Sequence, residues 1–394
     1  MNFLSGYESQ MVHANRPNFR RGGPRGMNPM NMGMREMNFF PVPVPLVRTV
    51  YDYTLDSTNL EGTKNSTNDP KFDKEIIERA ANLTPSVEVR TRIHQYAQKV
   101  MAALEKEKNE QTLSEVGVSR IQHVGSFVTD TTTHSSDKSD IVVELSKLPS
   151  YETVGELGQK IVENMKIADP KETGEPLQMP YGCLITSHNC RVRVLVTISV
   201  QDSSRLEPGL HLDEKPLMLN CFAVRHVQWF HGMSQNMSQE FVKEYQSLVR
   251  VLKDVRSRYI CLKPMSVWTL QYLAFYCLNY GPNRTKVSLG TAFRRFFEII
   301  AAGILLPKAP IIIDPTSQNH RIGFDLTLPE MDTLCMGAQT LVRTFATGDE
   351  GYRTILGTHG TPADLTVINL TWKGIEIGPS LEAYKEGCMD RFSS

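Results

Sequence analysis

Val124-Gly125-Ser126-Phe127 leads, through a polar loop over residues 129–139, into Asp140-Ile141-Val142-Val143-Glu144-Leu145. An apolar run ending in Gly-Ser lets backbone N–H groups approach phosphate oxygens, and the serine adds a hydroxyl donor. An acidic residue opening the next apolar strand would hold a magnesium ion against those phosphates. A Gly-Ser pair alone says little, because loops are full of it. Its meaning depends on the acid that follows and on the pattern to either side.

On the N-terminal side, residues 71–109 read as helical, with apolar positions at 89, 93, 96, 97, 100, 101 and 104. Strand-like pieces follow at 119–124, 141–145, 184–187 and 191–200, and a helical stretch at 154–165 separates the second from the third. That mixture predicts an α+β first lobe. From about residue 217 the pattern is helical. Phe241, Tyr245, Leu248, Leu252, Val255 and Tyr259 share one stripe, and helical segments follow at 265–278 and 288–302. Thr327 with Glu330 has the form of a capping box before Met331, Leu334, Cys335 and Ala338. The expected organisation is a disordered Arg/Gly/Met-rich tail over 1–45, a mixed-sheet lobe over 46–205, a helical lobe over 206–385 and a short tail over 386–394.

Lysine plus arginine equals aspartate plus glutamate, 43 of each in 394 residues, so no net field draws in nucleic acid or an anionic membrane. Any grip on RNA must be local. The tail offers one candidate in Arg16, Arg20, Arg21 and Arg25, whose planar cations on a glycine-rich backbone suit phosphates and bases. No apolar run approaches the length of about 18 residues needed to span a bilayer, and no secretory leader is readable, which predicts a reducing compartment. The 7 cysteines suit buried free thiols. Cys183, His188 and Cys190 fall close together but lack the paired spacing of a zinc site, so no metal site is expected.

Gly125-Ser126 with Asp140-Ile141-Val142-Val143 resembles the signature of the DZF domain, a branch of the nucleotidyltransferase fold. The resemblance continues through residues 248–256 (Leu-Val-Arg-Val-Leu-Lys-Asp-Val-Arg), Lys263-Pro264 with Trp268, and Phe293-Arg294-Arg295-Phe296. It extends further through residues 301–307 (Ala-Ala-Gly-Ile-Leu-Leu-Pro), Asp314-Pro315 and residues 338–343 (Ala-Gln-Thr-Leu-Val-Arg). It implies an oligoadenylate-synthetase-like pair of lobes and a vestigial nucleotide-binding set of Gly125, Ser126, Asp140 and Lys253, the lysine facing the triphosphate. It also implies a heterodimer, formed through residues 265–380, with a double-stranded-RNA-binding protein that has its own DZF domain. RNA would then be met mostly through that partner, with DNA a further ligand. The implied location is the nucleus, with the nucleolus and cytoplasm as further places.

Two-metal phosphoryl transfer needs several carboxylates around ions roughly 3.5–4 Å apart. Side chains at i and i+2 of a strand share a face, so the second acid belongs at position 142, where this sequence has valine. Glu144 shares that face but lies roughly 13 Å along the strand from Asp140. The 191–200 strand carries Arg191, Arg193, Leu195, Thr197 and Ser199 on one face and no acid. Asp137 is the remaining rescue candidate, and its plain alternative is a turn aspartate. The expectation is a non-enzyme with no catalytic residues and no cofactor beyond weak ATP with magnesium. Two alternatives are an active template-free nucleotidyltransferase using Asp137 and Asp140, and an autonomous RNA or DNA binder. The aromatic residues of the helical lobe, Trp268, Tyr272, Phe275, Tyr276, Phe293, Phe296, Phe297 and Phe345, are read mainly as core with some left for an interface.

Overall fold

Asp140 is the third residue of β2 (Lys138–Leu145), the strand on which the sheet is built. In the computed structural model, β1 (Val118–Val124) pairs with β2 antiparallel on one side and β5 (Cys190–Ile198) pairs with it parallel on the other. The order across the mixed sheet is β1-β2-β5-β4-β3, with β3 (Glu175–Met179) and β4 (Gly182–Ser187) completing it. The structure describes residues 70–113, 117–199, 204–280, 285–307, 309–317, 320–346, 348–358, 370–372 and 375–377. The arginine tail, including Arg16, Arg20, Arg21 and Arg25, and the C-terminal segment 386–394 lie outside the described residues.

Every second residue of β2 points to the back of the sheet. Ile141, Val143 and Leu145 pack there with Val192, Val194 and Val196 against helices α2 (Val87–Glu110) and α4 (Tyr151–Ala168). The 71–109 run is not one helix, as its periodicity suggested, but two. Pro85 has no N–H to continue the ladder and biases Thr84 away from helical geometry, and Ser86 caps the new helix by accepting from the Val89 N–H at 3.4 Å. The two pieces part company. In α1 (Asp73–Asn82), Ile76 and Ala80 join the core of the helical region, whereas α2 packs on the sheet. Residues 72–83, placed with the sheet lobe in the sequence reading, thus pack with the other one.

The front of the sheet is crossed by α5 (Glu214–Asn236). Its Asn220 amide gives hydrogen bonds to the carbonyls of Tyr181 (2.9 Å) and Val196 (2.6 Å), and Thr197 donates to the Leu217 carbonyl at 2.9 Å. Farther along the same helix, Phe230 and Met233 enter the helical core beside α6 (Gln239–Arg258), α7 (Val267–Asn279), α8 (Leu289–Ala301) and α9 (Leu328–Ala346). The short α10 (Asp349–Leu356) closes that core with Tyr352, Ile355 and Leu356. Thr327 takes the capping place expected of it, its backbone N–H donating to the Glu330 carboxylate at 2.7 Å. Beyond it, Leu370–Trp372 (β6) pairs antiparallel with Ile375–Ile377 (β7). Among the described residues, no helix is long and apolar enough to cross a membrane.

Candidate functional site

Val124 ends β1 and Gly125 turns the chain into a single helical turn, α3 (Gly125–Val128), the Gly-Ser turn. Gly125 has φ +80°, and a Cβ there would come within 2.4 Å of the Asp140 carboxylate. Both facts require glycine: the backbone is left-handed and the acid is pressed against it. The antiparallel register sets Val124 beside Asp140, and the parallel register sets Asp140 beside Arg193 of β5.

Arg193 closes on Asp140 as a fork. Its Nε donates to Oδ1 at 2.6 Å and its Nη2 to Oδ2 at 2.7 Å, so both carboxylate oxygens are engaged. Such a bidentate charge-assisted pair is among the stronger polar contacts in proteins. Burial opposes the charge on Arg193, but the hydrogen bonds and charge of Asp140 outweigh it and raise the guanidinium pKa. Asp137 is forked in the same way by Arg191, at 2.7 to 3.0 Å.

Where further carboxylates would stand, the structure is apolar. Val142 and Leu195 face each other in register, and with Val124 and Val227 of α5 they form a small buried cluster. A divalent ion therefore does not fit: Asp140 is already paired, the side chains at positions 142 and 195 are hydrocarbon, and a guanidinium sits against the acid. Among the described residues, no group of three or more His, Cys, Asp or Glu is placed to hold a metal ion. Cys183 pairs in register with Val194 while Cys190 pairs with Ser187 at the hairpin end, which separates the two thiols along the strands.

Lys253 comes to the site from α6. Its ammonium donates to Ser126 Oγ at 2.6 Å, Thr131 Oγ1 at 2.8 Å and the Thr131 carbonyl at 3.1 Å. Burial pushes its pKa down to about 7, against the pull of Asp140, and Arg250, Arg256 and Lys138 push the same way as burial. The spacing of Arg250, Lys253 and Arg256 is that of a solvated helix stripe, yet the structure turns it inward. Arg250, buried, donates to the carbonyls of Thr132 (3.0 Å) and Asp130 (2.6 Å), and Gln246 donates to that of Thr129 (3.1 Å). Gly125, Ser126, Asp140 and Lys253 thus converge on one place. Thr131 and the loop-clamping Arg250 and Gln246 are members that sequence reasoning missed; the basic repeat on α6 pointed to Arg250 alone.

A mixed sheet with a Gly-Ser turn, an acid on the adjoining strand and a lysine arriving from a helical region define the nucleotidyltransferase fold. The chain belongs to the DZF family: the DZF N-terminal domain matches residues 27–235 and the DZF C-terminal domain residues 244–378. Solved structures of E. coli CdnC share the architecture at low identity. E. coli CdnC, in a complex with HORMA-deltaN, superposes with a TM-score of 0.50 at 13% identity, covering 74% of this chain and 97% of that one. CdnC with ATP gives 0.50 and 13%, over 72% and 97%. A cytoplasmic RNA terminal U-transferase gives 0.48 at 11% identity, over 73% and 98%.

Proposed function

We propose that this DZF chain is a non-catalytic nucleotidyltransferase relative that pairs with a double-stranded-RNA-binding DZF protein in nuclear RNA–protein complexes, acting in transcription and RNA processing. The observation that carries the first half is the Arg193 fork on Asp140. Activation of an attacking hydroxyl by a metal pair needs carboxylates free to bind it, and here a guanidinium and a valine–leucine contact occupy their places. Ser126, the phosphate-facing hydroxyl of the fold, is already bonded to Lys253.

The second half rests on the family and on what the helical region leaves exposed. Within residues 265–380, Val267, Tyr280, Ile311 and Ile313 are exposed large apolar side chains, the last two 70% and 62% accessible. Side chains of that kind suit the buried centre of a protein interface. Two measurements test the reading. Pure protein incubated with labelled nucleoside triphosphates, magnesium or manganese, and RNA or nucleotide acceptors is expected to incorporate nothing above buffer. Purification from nuclear extract with the whole chain as bait is expected to recover a protein bearing double-stranded-RNA-binding domains. Incorporation abolished by Asp140→Ala would refute the non-catalytic half, and recovery of the bait alone would refute the partner half.

A further inference from the structure

The front of the sheet continues past the Gly-Ser turn. Two register steps along β2 from Asp140, Glu144 stands between Arg120 of β1 and Thr197 of β5. Between this row and α5 lies an open cleft of about 350 Å³. Val142 and Val224 bring apolar side chains to it, while Arg120, Gln122, Glu144, Arg225 and Gln228 bring hydrogen-bonding groups. A pocket of this size at the low end of the usual range suits a nucleobase or nucleoside rather than a large ligand.

The polar groups are unevenly satisfied. The Glu144 backbone carbonyl takes the Ser119 hydroxyl, but its half-buried carboxylate takes no hydrogen bond or ion pair among the described residues. Arg120 gives one N–H to Gln122 at 3.0 Å, and Arg225 gives one to the Thr316 carbonyl at 3.4 Å. Each guanidinium has five N–H donors, so both keep several for a ligand. A carboxylate and guanidinium groups lining one cleft favour a ligand with two adjacent donors on one edge and two adjacent acceptors on another. Guanine has this pattern: N1–H and N2–H₂ for a carboxylate, O6 and N7 for a guanidinium. Adenine sets an acceptor, N1, where the carboxylate needs a donor.

We propose that this cleft recognises guanine, as a nucleoside or as an unpaired base of RNA, with Glu144 on the N1–N2 edge and an arginine on O6 and N7. The site is distinct from the Gly-Ser turn and Asp140, and it does not depend on whether the chain is catalytic.

Cys221 lines the same cleft and is half-exposed, so its thiol serves as a reporter. The full chain is alkylated with iodoacetamide with and without guanosine or adenosine, and the rate at Cys221 is read by peptide mass. Nucleosides carry no phosphate, which keeps the basic groups around Lys253 out of the measurement. Guanosine at ten times its Kd is expected to slow alkylation about tenfold, adenosine far less, and Cys261 on the opposite lobe not at all. Glu144→Gln keeps the side-chain shape and is expected to weaken guanosine by about tenfold or more, the scale of a bidentate base contact. An unchanged melting temperature separates that loss from unfolding, and Arg120→Met, at an exposed position, supplies a second variant with the same expected direction. Protection by a short single-stranded RNA containing guanine, but not by its adenine counterpart or by free guanosine, would place the base in RNA. Equal protection by guanosine and adenosine, protection by neither guanosine nor the guanine RNA, or full protection retained in both variants would overturn the proposal.

Discussion

Arg193 neutralises Asp140 with a side chain that engages both carboxylate oxygens. The Asp140 side chain is 12% accessible and that of Arg193 34%, so the pair is well but not wholly removed from water. Replacing Arg193 by alanine leaves a nearly buried carboxylate without its partner. The expected cost is roughly 2–3 kcal/mol, below the range for fully buried pairs because the arginine is partly solvated. Urea unfolding measures it, and Arg193→Met combined with Asp140→Asn should recover most of the loss, since no charge is then stranded. Lys253 yields a prediction in pH. Its folded pKa, about 7, lies below its ordinary value of 10.5, so above pH 7 the unfolded chain binds more protons than the folded one. Stability must therefore rise with pH from about 7 toward 10.5, by up to about 1.4 kcal/mol per pH unit from this group. Below pH 7 both states hold the proton and the contribution is flat. Unfolding curves between pH 6 and 9 check this: the difference in stability between wild type and Lys253→Met should climb above pH 7, and a flat difference would refute it. The missing acid at position 142 was legible from the two-residue period of a strand, but the Arg193 fork was not, because it depends on the register that pairs residues 53 apart in the chain, and alternation shows only which face the arginine shares.

Helix starts are local features, yet only the Thr327 and Glu330 pattern was read from the sequence. Ser150, Ser238, Ser266 and Ser288 each accept a hydrogen bond from the backbone N–H three residues on, at 3.0 to 3.3 Å. Ser266 stands before Val267–Asn279, whose Trp268 indole donates to the buried Asp314 carboxylate at 2.9 Å. Ser266→Ala is expected to lower stability by about 1 kcal/mol, seen as a lower denaturation midpoint with an unchanged slope. A shift within error would mean that Asp314 alone fixes that helix end. The division at Pro85 could have been read from the proline, but the helical spacing from residue 89 onward was extended back across it. Glu175–Met179 was missed for a different reason. It is an edge strand, exposed along most of its length and without apolar alternation, and only its pairing with β4 makes it a strand.

At the scale of the molecule, one helix serves two cores. Glu214–Asn236 lays Val227 over the sheet and sends Phe230 and Met233 into the helical core, so neither region is built without it. The aromatic residues weighed earlier for an interface mostly fill that core: Trp268, Phe275, Phe293, Phe296, Phe297 and Phe345 are buried, while Tyr272 and Tyr276 are partly so. A partner surface on this region therefore falls to its exposed apolar residues. Ile311→Asp with Ile313→Asp is expected to abolish recovery of the partner from nuclear extract while leaving the melting temperature of the isolated chain within a degree or so, since surface changes usually fall within about 0.5 kcal/mol. Partner recovery undiminished in that double variant would move the interface elsewhere.

The local chain already carried four of the five strands of the main sheet, the capping pattern at Thr327, the Gly-Ser turn and the absence of a second acid on β2, because alternation, capping and glycine geometry act over a few residues. Which lobe residues 72–83 join, which way Lys253 turns, and which cation answers Asp140 were settled by packing and strand register. Those contacts join residues far apart in the chain, and no local pattern specifies where an inward-facing charge finds its counterpart.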